Sequence, residues 1–187
     1  IVVDSFHELE LLNSLSQNND VIQDILIRLS PAIELDERTH KYTTTGILDS
    51  KFGFAIDNGD AEKAINLIES MNNLNLIGIH FHLGSPLFSI VPYVLGIKKV
   101  IEFLSQFKHL KLKEFSPGGG FAVSYTVEDK TPSVKEYAEA ICNTLNESLD
   151  FFNMPKPKLI IEPGRAITGP AGVAIYSVGA IKNIENV

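Results

Sequence analysis

The sequence predicts an α/β protein built on a parallel sheet. Two observations carry this: short runs that are apolar almost throughout, and helix-period segments lying between them. A strand buried on both faces has no polar face to show, and parallel strands need a crossover, usually a helix, between them. A doubly wound sheet and a (β/α)8 barrel both satisfy this pattern. Five such strands in 187 residues are too few for a closed barrel.

The elements follow in order. The run IVV opens the chain at Ile1 as a short strand. Ser5 with Glu8 three residues on forms a capping-box signature, and FHELELLNSL continues with helical periodicity. The second strand is DILIRLS, ended by Pro31. A polar, threonine-rich stretch from 32 to 51 follows, and Asn58 or Asp60 starts a helix through AEKAINLIESM. The third strand is LIGIHF (76–81), with a helix over 90–107. KEFS (113–116) is the fourth strand, followed by a long helix over 134–152. KLIIE (158–162) is the fifth. Residues 171–182, AGVAIYSVGAIK, alternate as a further strand would, without a preceding helix.

Composition narrows the function. With 44% hydrophobic and 21% charged residues the chain can bury a real core. Sixteen basic residues stand against 23 acidic ones, a net charge of -7, and the basic residues are scattered. A nucleic-acid partner would want them clustered on one face, so none is expected. No apolar run reaches the length of a membrane span. Cys142, the single cysteine, sits in a helical pattern and is expected to be buried and inert; its isolation suits a reducing, cytoplasmic compartment. The chain opens at Ile1 directly on a strand, as a piece of something longer would.

The chemistry gathers after three consecutive strands. HFHLGS (80–85) follows the third, PGGG (117–120) the fourth and EPGR (162–165) the fifth. In parallel α/β proteins ligands bind at the carboxyl ends of the strands, so all three segments share one edge. Gly118, Gly119 and Gly120 can bare successive amide N–H groups to an anion, and a following helix N-terminus would add its dipole. Ser85 offers a hydroxyl and Arg165 a forked cation to such an anion. His80 and His82 are expected to point to opposite faces of their strand, so that one of them meets the site. Glu162 ends an apolar strand and is expected to be a buried acid. Singly, each segment has a bland reading. PGGG could be a loose loop, EPGR a turn with a surface ion pair, Gly84 and Ser85 a helix entry, and either histidine a structural one. Their recurrence at one edge is what favours a site.

DSKFGF, GIHFHLGS, FSPGGGFAVSYT and LIIEPGRAI, in this order and spacing, resemble the pyridoxal-phosphate decarboxylases with an alanine-racemase-like barrel. RLSPAIELDERTHKYTTTGILDSKFGF favours the diaminopimelate decarboxylases within that group over those acting on ornithine or arginine. The resemblance runs along essentially the whole chain. It implies strands four to eight of a (β/α)8 TIM barrel in residues 1–170, with 171–187 leading out to a C-terminal β domain. It further implies pyridoxal 5'-phosphate as cofactor and a small amino acid as substrate, in an enzyme that is a homodimer when intact. His82 would stack on the pyridine ring. Ser85 and the amides of Gly118, Gly119 and Gly120 would hold the phosphate, with Gly164 and the backbone near Arg165. Glu162 would bond the ring nitrogen, and Arg165 would touch the phosphate or a substrate carboxylate. Arg28 would stand behind these groups.

Two departures stand out. The family's lysine that holds the cofactor covalently lies in a motif like YAxKAN, which this chain does not contain, so the chain by itself is expected to be inactive. Pro86 stands where the family usually has glutamine.

Overall fold

The structure is a computed structural model that describes residues 1–33 and 51–183. Strand β1 (Val2–Val3) leads to α1 (Phe6–Asn18), β2 (Gln23–Ser30), β3 (Phe54–Ala55) and α2 (Asp60–Glu69). Then come β4 (Leu74–His80), α3 (Val91–Leu104), β5 (Glu114–Ser116), α4 (Val134–Phe151), β6 (Lys158–Leu159) and a short α5 (Gly164–Thr168).

The strand order is β1-β2-β4-β5-β6, every pairing parallel, with β3 added beside the end of β2. A doubly wound sheet reverses its order at a switch point. This one advances in a single direction, as a section of a (β/α)8 barrel does. The double burial read from the strands is present: Ile25, Ile27 and Leu29 of β2 are sealed, and Leu26 on the opposite face is nearly so. Between the helices and the sheet, Tyr93, Ile97, Val100, Ile101 and Leu104 of α3 are buried, and α3 packs along α4.

Local signals explain the helix starts. Ser5 caps α1 by accepting from the Glu8 N–H at 3.3 Å. The reciprocal arm is displaced by one residue, because Glu8 Oε2 accepts from the Asp4 N–H at 2.7 Å. Asn58 and Asp60 share the entry to α2, Asn58 Oδ1 accepting from the Asp60 N–H at 2.9 Å. Ser133 and Glu136 complete a full capping box at α4.

Four expectations need correction. Strand β3 was absent from the sequence reading, because FA is too short to show a period and pairs only through Leu29 and Ser30. A helix, α5, does follow the last strand. Residues 172–183 form no strand: a strand needs paired N–H and C=O groups, and no described strand lies beside these residues. Val173, Ile175 and Val178 are exposed accordingly. Cys142 is exposed rather than buried, since the face of α4 that packs inward runs through Ile141, Leu145 and Leu149. Residues 34–50, which hold much of the polar stretch and of the RLSPAIELDERTHKYTTTGILDSKFGF resemblance, lie outside the described residues. No helix among the described residues is long and apolar enough to cross a membrane.

Candidate functional site

The three segments do meet at the carboxyl edge of the sheet. Beyond the formal strand ends the chain keeps pairing: Gly119 bridges Glu162, and Leu87 bridges Phe121. The Glu162 N–H donates to the Gly118 carbonyl at 3.0 Å, and the Leu87 N–H to the Gly120 carbonyl at 2.8 Å. PGGG is therefore a paired extension of β5, which excludes the loose-loop reading.

The glycines are required by this pairing. A Cβ on Gly119 would lie 1.8 Å from the Glu162 carbonyl oxygen, and one on Gly120 would lie 2.0 Å from that of Gly84. Gly118 and Gly120 also sit at φ +75° and +92°, where other L-residues are strained. A Cβ on Gly118 would fall 2.7 Å from His82 Nδ1, so its absence lets the imidazole lie against the loop. The close approach read from the sequence is real, and its first cause is the protein's own backbone.

Two buried tyrosines fix the loop from beneath. Tyr93 Oη donates to the Gly119 carbonyl at 2.6 Å, and Tyr137 Oη donates to the Leu87 carbonyl at 2.6 Å. Tyr137 Oη also accepts from the Ala122 N–H at 3.2 Å. Their rings pack with Phe121, the Tyr93 and Phe121 centroids being 5.5 Å apart. Burial raises both phenols above their ordinary value, Tyr93 the more strongly, so they remain donors. A trans peptide points its C=O and the next N–H in opposite directions. With the Gly119 carbonyl drawn down to Tyr93, the Gly120 N–H is directed away from the core. No helix follows the glycines directly; α4 begins only at Val134, so the expected dipole is not at this position.

His80 and His82 do not diverge. Residues two apart on a strand share a face, and both imidazoles reach the same cluster. His80 Nε2 lies 3.2 Å from Glu162 Oε1, while His82 Nδ1 accepts from the Gly119 N–H at 3.3 Å. Burial holds both rings below the ordinary histidine range, and the nearby Arg28 guanidinium pushes the same way. Glu162 opposes the shift without overcoming it. Both rings are therefore neutral near pH 7.

Glu162 is not the buried acid the sequence suggested. Its side chain is 51% exposed, because it stands beyond the end of the outermost strand. Its carboxylate is nevertheless held. The Ser116 hydroxyl donates at 3.5 Å to Oε1, the oxygen that His80 also meets, and the Gly118 N–H bonds Ser116 Oγ at 3.2 Å. Both contacts fall on Oε1, which among the described residues leaves Oε2 for an incoming donor.

Ser85 is half-buried at the same edge, joined to Pro86 by a cis peptide. Gly164 is exposed at the start of α5, with open space where a Cβ would go. Arg165 turns to Tyr125, donating from Nη1 to its hydroxyl at 2.9 Å. Arg28 pairs with Asp4 at 3.3 Å and lies over the Phe52 ring. Sequence reasoning missed Ser116, Tyr93, Tyr137 and the His80–Glu162 contact. The strand period would have found the last; nothing near Tyr93 or Tyr137 signals a partner far along the chain.

The donor set fits a pyridoxal group. A neutral imidazole can lie on its ring, a carboxylate oxygen is open to its nitrogen, and the Gly120 amide with Ser85 can meet its phosphate. Among the described residues no cluster could hold a metal ion.

Known proteins point to the same cofactor. Residues 1–169 match the family model described as pyridoxal-dependent decarboxylase, pyridoxal binding domain. The chain is 39% identical to the diaminopimelate decarboxylase of Bacillus methanolicus over 190 residues, covering all of this chain and 44% of that protein. Against the Bacillus subtilis enzyme it is 36% identical, covering 43% of it. The chain thus spans less than half the length of the curated relatives it matches. Among solved structures, diaminopimelate decarboxylase from M. jannaschii in complex with L-lysine superposes with a TM-score of 0.76 at 32% identity, over 88% of this chain and 37% of that one. The Helicobacter pylori enzyme, also with L-lysine, gives 0.73 at 29%, over 87% of this chain and 39% of that one.

Proposed function

From the premise that the chain belongs to the pyridoxal-dependent decarboxylases, whose pyridoxal binding domain its residues 1–169 match, we propose that the protein carrying it converts meso-2,6-diaminopimelate to L-lysine and carbon dioxide. The bond broken joins the α-carbon to its carboxylate, carbon dioxide leaves, and a proton takes its place. Pyridoxal phosphate, when bound, supplies an electron sink for the charge left on that carbon.

The chain's own residues do the holding and tuning. Glu162 Oε2 accepts from the ring nitrogen, and a carboxylate there favours the protonated, more electron-withdrawing ring by charge pairing. His82, neutral and kept against Gly118 and Gly119, covers one ring face. Ser85, the Gly118–Gly120 loop and Gly164 receive the phosphate, whose binding energy is remote from the reacting carbon and so positions the ring. Arg165 reaches the phosphate or a substrate carboxylate. Residues 171–187 lead toward a C-terminal β domain, and the protein works in the cytoplasm as a homodimer.

The observation that carries this reading is the Glu162 carboxylate, fixed at Oε1 and open at Oε2, beside a neutral His82. The choice of substrate leans on the diaminopimelate decarboxylases that cover the whole chain. The test is a panel of meso-diaminopimelate, lysine, ornithine and arginine given to the full-length protein with cofactor. Carbon dioxide release is expected from meso-diaminopimelate alone; faster release from ornithine or arginine contradicts the substrate.

A further inference from the structure

A polar row crosses the carboxyl ends of the strands. Asp4 follows β1, Arg28 lies in β2, His80 ends β4, Ser116 ends β5 and Glu162 follows β6. Arg28 is the register partner of His80, and His80 that of Ser116. Arg28 Nη1 meets Asp4 Oδ1 at 3.3 Å, and His80 Nε2 meets Glu162 Oε1 at 3.2 Å. His80 is buried, and among the described residues its Nδ1 has no hydrogen-bond partner. A neutral imidazole carries one proton. Placed on Nδ1 it would meet no acceptor among the described residues; placed on Nε2 it is accepted by Glu162.

We infer that His80 is a positioning residue for the cofactor ring: as a neutral Nε2–H donor it fixes Glu162 Oε1, leaving Oε2 and the whole carboxylate charge to the ring nitrogen. Neutrality is the point of the arrangement. An imidazolium would itself pair with the carboxylate and compete with the pyridinium for the same charge. A neutral donor orients the carboxylate without neutralising it. Arg28, the cation in the row, is engaged by Asp4, and its proximity disfavours a second proton on His80. Ser116 adds a second neutral donor to the same oxygen.

This rests on Glu162 being the partner of the ring nitrogen, so the experiment separates the two ideas. The full-length protein, freed of cofactor, is titrated by calorimetry with pyridoxal phosphate and with the analogue whose ring nitrogen is replaced by C–H. His80→Leu is expected to weaken pyridoxal phosphate about tenfold while changing the analogue less than twofold, the size of one displaced charge-assisted contact. His80→Gln, whose side-chain amide donates at similar reach, restores most of the loss. Equal losses for the two ligands, or no loss, overturn the positioning role. Glu162→Gln run alongside tests the premise. If it discriminates between the ligands and His80→Leu does not, only the role of His80 fails; if it does not discriminate, the reading of Glu162 itself fails. Should His80→Leu not fold, nitrogen NMR on the unsubstituted protein decides. The neutral Nε2–H tautomer of His80 at pH 7 is expected, and the Nδ1–H form or an imidazolium overturns the inference.

Discussion

Replacing Gly119 by alanine tests why three glycines stand together. The added Cβ would lie 1.8 Å from the Glu162 carbonyl oxygen. That is about 1.5 Å inside the roughly 3.3 Å at which carbon and a carbonyl oxygen ordinarily meet. The obstructing atom is backbone, so no rotamer change relieves it and the end of β6 must move. Overpacking of this kind costs about 1–3 kcal/mol. Moving the strand end also breaks the bond from the Glu162 N–H to the Gly118 carbonyl, worth about 1 kcal/mol. The sum, about 2–4 kcal/mol, is a large part of a typical folding stability of about 5–15 kcal/mol. Urea unfolding followed by circular dichroism measures it. Gly164→Ala is the matched control, because its Cβ would enter open space, and it should stay within about 0.5 kcal/mol of wild type. A Gly119→Ala protein as stable as that control would refute the steric account of the loop.

Three further outcomes are expected. Tyr93→Phe leaves the buried Gly119 carbonyl without its 2.6 Å donor, so stability should fall by about 1–3 kcal/mol and pyridoxal phosphate should bind more weakly as the Gly120 amide loses its orientation; unchanged unfolding and binding curves contradict this. The buried histidines have folded pKa values below the unfolded value of about 6.5, so the unfolded chain takes up protons first. Stability should be fullest above about pH 6.5 and decline as the pH falls toward the folded values; His80→Gln should flatten the pH 7 to 5 limb of an unfolding series, and an unaltered slope would count against it. Arg165→Ala removes the contact with exposed Tyr125 and should leave the urea midpoint unchanged while weakening phosphate or substrate binding; a stability loss above 1 kcal/mol would make it structural instead.

Much of the fold was legible because burial on both faces writes an uninterrupted apolar run. DILIRLS and LIGIHF announce β2 and β4 in that way, and Ser5 with Glu8 marks the start of α1. What failed was short or needed distant partners. Phe54–Ala55 is a strand only because Leu29 and Ser30 lie beside it, and the alternation at 171–182 is a pattern with no neighbour to pair with among the described residues. At the site, residue types pointed to an anion, a ring and an acid. The histidines were misplaced by a parity error, and the exposure of Glu162 depended on which strand is outermost. The tyrosines that hold the glycine loop are invisible locally, since Tyr93 lies 26 residues from the carbonyl it bonds.

A crystal structure of the full-length protein with pyridoxal phosphate decides whether these residues hold the cofactor. The phosphate should lie at Ser85 and the Gly118–Gly120 loop, His82 on one ring face, and the ring nitrogen about 2.8 Å from Glu162 Oε2. A phosphate bound elsewhere, or a ring nitrogen facing away from Glu162, would contradict it.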